Sequence, residues 1–365
     1  MWKTIGIRSN MKKATLTLQD GTSFEGYSFG AEKNIVGEVV FNTAMNGYPE
    51  SLTDPSYMGQ MMVMTYPMVG NYGIPSSEVS PEGISRYLES EHIYMQAILV
   101  ADYSAEYSHW NATSSLADRL KEEGTVGLTN IDTRALTKHL REHGSQKGTI
   151  TIEGVDTPIE DAQWEERNLV AEASTREVVR YGQGSKTVVL IDCGVKHNII
   201  RQLLREDVTL VRVPWDYDFS TLSYDGIFIS NGPGNPEMCV KTVENLRRAI
   251  AGDKPIYGIC MGNQLLSLAA GAKIYKLKYG HRSHNQPVRM VGTNNCFITS
   301  QNHSFAVDGS TLGADWEEWF VNLNDGSNEG IKHKTKPIRS VQFHPEAFGG
   351  PKDTLFIFDE FFSLL

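Results

Sequence analysis

Pro255-Ile256-Tyr257-Gly258-Ile259-Cys260-Met261-Gly262 is an apolar run that ends on small residues and passes directly into a helical pattern carrying Gln264, Leu265, Leu266, Leu268 and Ala269, with Gly271 as its stop. A buried strand entering a helix through Gly-x-Cys-x-Gly has a mechanical logic. The glycines permit a cramped turn, and the middle side chain is pushed out at the end of the sheet. The N-terminal N–H groups of the following helix favour negative charge on that side chain, which suits a nucleophilic sulfur. Most free cysteines are instead small buried hydrophobes, so the turn alone does not decide, and the rest of the chain has to be weighed with it.

The chain has 365 residues, enough for two domains. With 40% hydrophobic and 21% charged residues it has the composition of a globular protein able to build large cores. Its net charge of -10 does not suggest a nucleic-acid or acidic-membrane partner. No apolar run reaches the length of a membrane span, and Met1 to Lys13 lacks the apolar centre of a secretory signal. Cys193, Cys239, Cys260 and Cys296 show no paired spacing. Reduced thiols and a cytoplasmic location are therefore expected, and no zinc-type Cys/His cluster or other metal site is read from the spacing.

The two halves differ in texture. In the first, Leu16 and Leu18 alternate with threonines, Asp20-Gly21 offers a hairpin turn, and Phe24 resumes the apolar side. Further strands are expected at Glu38–Phe41, Met61–Tyr66, Tyr94–Asp102 and Thr149–Ile152, and a helix from Asp132-Thr133 with Leu136 and Leu140 on one face and Gly144 as its stop. This half reads as mixed α+β. The polar stretch from Arg180 to Lys186 reads as a linker, which sets the expected domains at 11–179 and 186–365.

Beyond it the pattern becomes regular. Strands are expected at Thr187–Ile191, Thr209–Val213 and Gly226–Ser230, with Ile199, Ile200, Leu203 and Leu204 on a helix between the first two. Asn231-Gly232-Pro233-Gly234 follows. Asn235 then caps a helix with Pro236 in its first turn and Val240, Val243, Leu246 and Ile250 on its inner face. The fold class is α/β, a mostly parallel sheet covered on both faces, whose functional groups gather at the carboxyl ends of its strands.

A nucleophilic cysteine needs a base, and the base an orienting group. Val341-Gln342-Phe343-His344-Pro345-Glu346 supplies both: His344 ends an apolar strand, and Glu346 is placed to fix its tautomer. An isolated histidine before a proline would be read as structural. The order Cys…His…Glu within one α/β domain favours catalysis. Acyl transfer also needs N–H donors for an oxyanion, and the backbone of Gly232 with that of Met261 is the candidate pair.

Ser230–Asn235, Gly258–Gln264 and His344–Glu346 together resemble the motif blocks of a class I (triad) glutamine amidotransferase, over roughly Lys186–Leu365. Almost the whole chain from Met11 onward is similar to the small, glutamine-hydrolysing subunit family of carbamoyl-phosphate synthetases. The narrower match rests on Gly37–Thr43, Gly47-Tyr48, Leu52–Tyr57, Thr65–Pro67, Gly70–Gly73 and Asn130–Leu136, and continues in Lys278–Arg282, Asn285–Val288 and Gln301–His303. The resemblance implies Cys260 as nucleophile, His344 as acid and base, and Glu346 as the third member. It further implies an L-glutamine pocket drawing on Ser56, Gly232, Gly234, Met261 and Gln264, and on Asn302, Ser304 and Phe305 after a strand at Cys296–Thr299. No cofactor is implied on this chain. The implied partner is a large subunit that uses ATP and Mg, receives ammonia through a tunnel and forms carbamoyl phosphate from bicarbonate, for arginine or pyrimidine biosynthesis or both. The absence of a GxxxxGK[ST] loop agrees with ATP chemistry residing on that partner.

Three positions depart from the family pattern: Met261 for leucine, Asn263 for histidine, and Ser304 for glycine. If position 304 needs a positive φ, serine costs about 1 kcal/mol there. His281, His303 and the other three cysteines read as packing or local hydrogen-bonding groups, and Leu355, Phe356, Phe358, Phe361 and Phe362 as a helix docking on the sheet. The competing readings are a triad amidotransferase serving anthranilate, GMP or folyl-polyglutamate chemistry, which the first-half motifs disfavour, and a non-catalytic scaffold, which an intact triad disfavours.

Overall fold

Alternation of apolar and polar side chains builds the first unit. The computed structural model describes residues 11–159 and 166–365, so the reading of Met1 to Lys13 falls outside the described residues up to position 10. The chain divides into two units, one holding residues 11–78 and 85–159, the other 79–84 and 166–365. In the first, β1 (Lys13–Leu18) buries Ala14, Leu16 and Leu18 and turns through Gly21, at φ 87°, into β2 (Ser23–Ser28), with Leu16 opposite Phe24. β3 (Ile35–Asn42), β4 (Gln60–Met64), β5 (Ala97–Leu99), β6 (Val126–Thr129) and β7 (Gln146–Ile152) complete a closed barrel in the order β1-β7-β3-β4-β5-β6-β2. Closure leaves no unpaired sheet edge. The strand expected at Tyr94–Asp102 forms only over Ala97–Leu99, with a short separate strand at Asp102–Tyr103.

Helix α1 (Thr133–His143) forms as its sequence signals. The Asp132 carboxylate accepts from the Ala135 N–H at 2.8 Å, Leu136 and Leu140 are buried, and Gly144 ends it at φ 93°.

In the second unit, β8 (Val179–Tyr181), β9 (Lys186–Asp192), β10 (Val208–Pro214), β11 (Gly226–Ile229), β12 (Ile256–Ile259), β13 (Lys273–Met290), β14 (Cys296–Asp308), β15 (Trp316–Asn322), β16 (Asn328–His333) and β17 (Ile338–Val341) form one sheet in the order β8-β10-β9-β11-β12-β17-β16-β15-β13-β14. The neighbours from β10 to β17 pair in parallel. Antiparallel strands extend this parallel core on both sides. The stretch read as a linker begins inside β8, whose Arg180 and Tyr181 pair with Val211 and Leu210.

Both faces of the parallel core are covered, and the two-residue period assigns the side chains. Val188 and Leu190 of β9 pack with Phe228, Tyr257 and Ile259 beneath α2 (His197–Leu203) and the C-terminal α5 (Phe356–Phe362). Val189 and Ile191 face the other way, with Ile227, Ile229 and Ile256, beneath α3 (Val240–Ile250) and α4 (Met261–Ala269). Each fully buried Phe or Leu there contributes about 1.5–3 kcal/mol of transfer free energy. The α3 reading needs one correction. Asn235 caps a short 3-10 turn, Pro236–Met238, and the helix restarts after Cys239. That break rotates Val240 outward to 58% exposure, while Val243 and Leu246 stay inside.

Candidate active site

Four loops leave the carboxyl ends of neighbouring parallel strands and carry the site: Gly194–Lys196 after β9, Ser230–Asn235 after β11, Cys260 after β12 and Gln342–Glu346 after β17. Their mutual placement follows from strand register. Ile259 lies opposite Val341, and the Cys260 N–H donates to the Val341 carbonyl at 2.9 Å. Cys260 and His344 therefore emerge from adjacent strands. On the far side, β14 meets both: Ser300 bridges His344, accepting its N–H at 2.8 Å, and the carbonyl of Asn302 lies 3.6 Å from Cys260 Sγ.

Cys260 caps α4 with φ 53° and ψ -101°; among the described residues Asn130 is the only other non-glycine at positive φ. The flanking glycines are sterically required. A Cβ on Gly262 would sit 2.4 Å from the Ile229 carbonyl oxygen, and one on Gly258 would sit 2.7 Å from Gly262 backbone. The strained elbow is thus held from both sides. Met261, as the first helical residue, has no intrahelical acceptor for its N–H. Gly232 is held as tightly, since a Cβ there would lie 2.0 Å from the Cys193 carbonyl oxygen.

His344 is buried, and its Nδ1 lies 2.7 Å from Glu346 Oε1. Its Nε2 is buried with no other hydrogen-bond partner, and Cys260 bears on the ring by charge and side-chain hydrogen bonding. Burial and the Lys196 charge oppose protonation of this imidazole, but Glu346 and Cys260 outweigh them and raise it to about 10. Burial would also raise Glu346, yet Lys196 and His344 pull it down to about 2. The arrangement is a buried chain of thiol, imidazole and carboxylate, closed by the Lys196 ammonium 2.7 Å from Glu346 Oε1.

Lys196, Asn198 and His284 escaped the reading of the sequence. Asn198 donates its amide to the Glu346 carbonyl, and the Lys196 N–H donates to Asn231 Oδ1 at 3.0 Å. His284 Nδ1 meets Ser300 Oγ at 2.8 Å, and burial with the Lys196 and His344 charges lowers it to about 4. The available signal was positional: Lys196 follows β9 as Cys260 follows β12.

Of the expected pocket residues, Asn302 backs Cys260, and Gln264 donates to the Phe305 carbonyl at 3.1 Å and to Gln342 Oε1 at 3.3 Å. Gly234, at φ 81°, packs on Leu169. Asn302, Ser304 and Phe305 do not follow a strand ending at Thr299; they lie within the continuous β14. Ser304 carries no positive φ, so the condition for a strain cost is not met, and its hydroxyl instead adds a contact, accepting from the Arg282 guanidinium. Asn263 is buried between Gln342 Oε1, at 3.1 Å, and the Ser340 hydroxyl, at 2.8 Å. Ser56 belongs to the first unit, in the turn Pro55–Tyr57, where the Asp54 carboxylate accepts its N–H at 2.9 Å.

Comparison with known proteins finds a family match in each unit. Residues 189–364 match glutamine amidotransferase class-I, and residues 16–150 match the carbamoyl-phosphate synthase small chain, CPSase domain. The chain is 50% identical over 363 residues to the carbamoyl phosphate synthase arginine-specific small chain of Saccharomyces cerevisiae, covering 96% of this chain and 88% of that one. It is 49% identical over 369 residues to the protein of the same name from Candida albicans, covering 97% and 86%. It is also 50% identical over 354 residues to multifunctional protein CAD of Squalus acanthias, covering 95% of this chain but only 16% of that much longer protein. By its two domains and by near full-length identity to two small chains, this chain belongs to the carbamoyl-phosphate synthase small-chain family.

Proposed function

We propose that the chain hydrolyses L-glutamine on Cys260 and delivers the ammonia to a large, ATP-dependent chain for carbamoyl phosphate synthesis. The observation that carries this reading is the buried Cys260–His344–Glu346 chain at the ends of adjacent parallel strands.

Cys260 gives its proton to His344 Nε2 and its sulfur attacks the side-chain amide carbon of glutamine. Gly232 and Met261 direct backbone N–H groups at the oxyanion. His344, kept cationic by Glu346, returns the proton to the departing nitrogen, and ammonia leaves a glutamyl thioester on Cys260. His344 then takes a proton from water, whose oxygen attacks the thioester carbonyl; glutamate departs and the thiol is restored. Lys196 keeps Glu346 ionised throughout. Gly234, Gln264, Asn302, Ser304 and Phe305 are the proposed glutamine contacts.

ATP and Mg are assigned to the large chain and no cofactor to this one. The arginine-specific names of the yeast relatives favour arginine biosynthesis as the pathway served. The proposed domain limits are 11–179 and 186–365, whereas the compact second unit also takes in 166–185. The four unpaired cysteines suit a reducing, cytoplasmic location, and among the described residues no helix is long and apolar enough to cross a membrane.

Reconstitution with a large chain tests the proposal. Cys260→Ser is expected to abolish glutamine-dependent carbamoyl phosphate synthesis while ammonia-dependent synthesis continues. Glutamine-dependent synthesis surviving in that variant would refute the assignment.

A further inference from the structure

A second buried group of chemistry-bearing side chains lies beside the catalytic centre, on β13, β14 and β16. His281 and His303 face each other across β13 and β14 with rings 4.9 Å apart, and Glu329 reaches them from β16. His281 Nδ1 is 3.4 Å and His303 Nε2 3.6 Å from the same oxygen, Glu329 Oε1. All three ligand atoms lie within 4.8 Å of one another, and all three residues are buried.

The outer ring nitrogens are already committed. His281 Nε2 donates to Asp325 Oδ2 at 2.8 Å, and His303 Nδ1 donates to the Phe305 carbonyl at 2.9 Å. The bond to the Phe305 carbonyl leaves His303 Nε2 with a lone pair turned toward the carboxylate, while His281 Nδ1, facing Glu329, carries either a proton or a lone pair that a cation would take. A histidine whose outer N–H is held by a carboxylate or a backbone carbonyl is the second-shell pattern of metal-binding imidazoles.

The interior of the group holds more acceptors than donors. The single Asn322 amide is shared among His281 Nδ1 at 3.4 Å, Gln301 Oε1 at 3.4 Å and Glu329 Oε1 at 3.2 Å. Gln301 Oε1 also stands 3.3 Å from His303 Nε2. Glu329 Oε2 is buried with no hydrogen-bond partner. Converging lone pairs on a buried carboxylate need a cation among them. A second proton on His281 supplies one positive charge, but it leaves His303 Nε2 and Glu329 Oε2 unmet.

The spacing fits a metal. Tetrahedral zinc with ligand distances of about 2.0–2.1 Å has ligand–ligand edges of about 3.3–3.4 Å, close to the 3.4 and 3.6 Å of the two edges to Glu329, while the edge between the inner nitrogens lies within 4.8 Å. Two imidazoles, a carboxylate and a neutral amide oxygen form a borderline donor set that suits zinc better than magnesium or calcium, which take oxygen shells.

We infer that His281, His303 and Glu329, with Gln301 as a fourth donor, form a buried site for one zinc-class divalent cation that clips β13, β14 and β16 together. Its consequence for catalysis is positional. His303 directly follows Asn302, whose carbonyl faces Cys260 Sγ, so the cation fixes the strand that backs the nucleophile.

The test uses the full chain, stripped with a chelator and titrated with Zn2+ alone against a competing fluorescent chelator, and with Co2+ followed by visible absorption. The expected result is one tightly held Zn2+ per chain and the intense absorption of tetrahedral Co2+. Asp325→Asn should weaken Zn2+ binding by roughly ten- to hundredfold, and Glu329→Gln and His303→Gln should weaken it further. Cys260→Ser should leave it unchanged, separating this site from zinc captured by the catalytic thiol. Absence of stoichiometric uptake by the folded chain overturns the inference. So does uptake indifferent to Asp325→Asn, Glu329→Gln and His303→Gln, or uptake abolished by Cys260→Ser. If Glu329→Gln or His303→Gln fails to fold, the peripheral Asp325→Asn variant and the Co2+ spectrum decide the question.

Discussion

Cys260 occupies a backbone conformation that an L-amino acid adopts at a cost. At φ 53° and ψ -101° it lies outside the favourable wells, and the register of Ile259 with Val341 on one side and the start of α4 on the other hold it there. Strain of this kind amounts to about 1–3 kcal/mol and serves to project sulfur toward the strand that carries Asn302. The strain is separable from the chemistry. Glycine tolerates positive φ and alanine does not. Cys260→Gly is therefore expected to be more stable than Cys260→Ala by about 1 kcal/mol, although glycine buries less and frees more of the unfolded chain. Urea unfolding of the two inactive variants measures the difference. An alanine variant as stable as the glycine variant would mean that the elbow is not strained.

The elements show why some parts of the site were legible and others were not. The elbow, the Asn231–Gly234 loop and the His344–Glu346 segment are local signatures: each is a strand end followed by the small or titratable residues its turn requires. Lys196 carries no such signature. It becomes part of the site only because β9 lies one strand from β11, bringing the Gly194–Lys196 loop to Asn231 and to Glu346. The barrel was hidden for a related reason. Its closure joins β2 to β6 and β1 to β7 across long sequence separations, and alternation within a strand does not name its partner. Strand β14 was read too short because Gln301, Asn302 and His303 are polar, yet all three are buried in the site and its neighbouring cluster. Gly232 tests the loop as an element. Its missing Cβ would lie 2.0 Å from the Cys193 carbonyl oxygen, and both partners are backbone. Gly232→Ala should displace the loop, lower the rate of glutamine hydrolysis at least about tenfold through the lost oxyanion donor, and cost about 1–3 kcal/mol of stability. Steady-state kinetics and urea unfolding check both effects, and a fully active alanine variant would remove Gly232 from the proposed oxyanion hole.

For the molecule as a whole, the buried charges of the site link stability to pH. The groups facing His344 are Glu346, Lys196, Cys260 and His284, and their balance raises its pKa from the ordinary 6.5 to about 10. A group bound more tightly to its proton in the folded state stabilises that state fully below its unfolded pKa. The contribution then fades as pH rises toward the folded value, so this one declines between pH 6.5 and about 10. Glu346 has the opposite sign. Lowered from 4.5 to about 2, it stabilises above pH 4.5, and its contribution is lost as pH falls toward 2. The two together place the greatest stability between pH 4.5 and 6.5 as far as this site determines it. His344→Asn separates the terms. It leaves Glu346 paired with Lys196 and removes the titrating imidazole, so the decline on the alkaline side should become shallower by roughly a few kcal/mol over the window, while the acid limb persists. Urea midpoints measured across pH for the native chain and His344→Asn give both limbs. Parallel alkaline slopes in the two proteins would show that His344 is not held protonated by its neighbours, and the imidazolium proposed to return a proton to the departing nitrogen would lose its support.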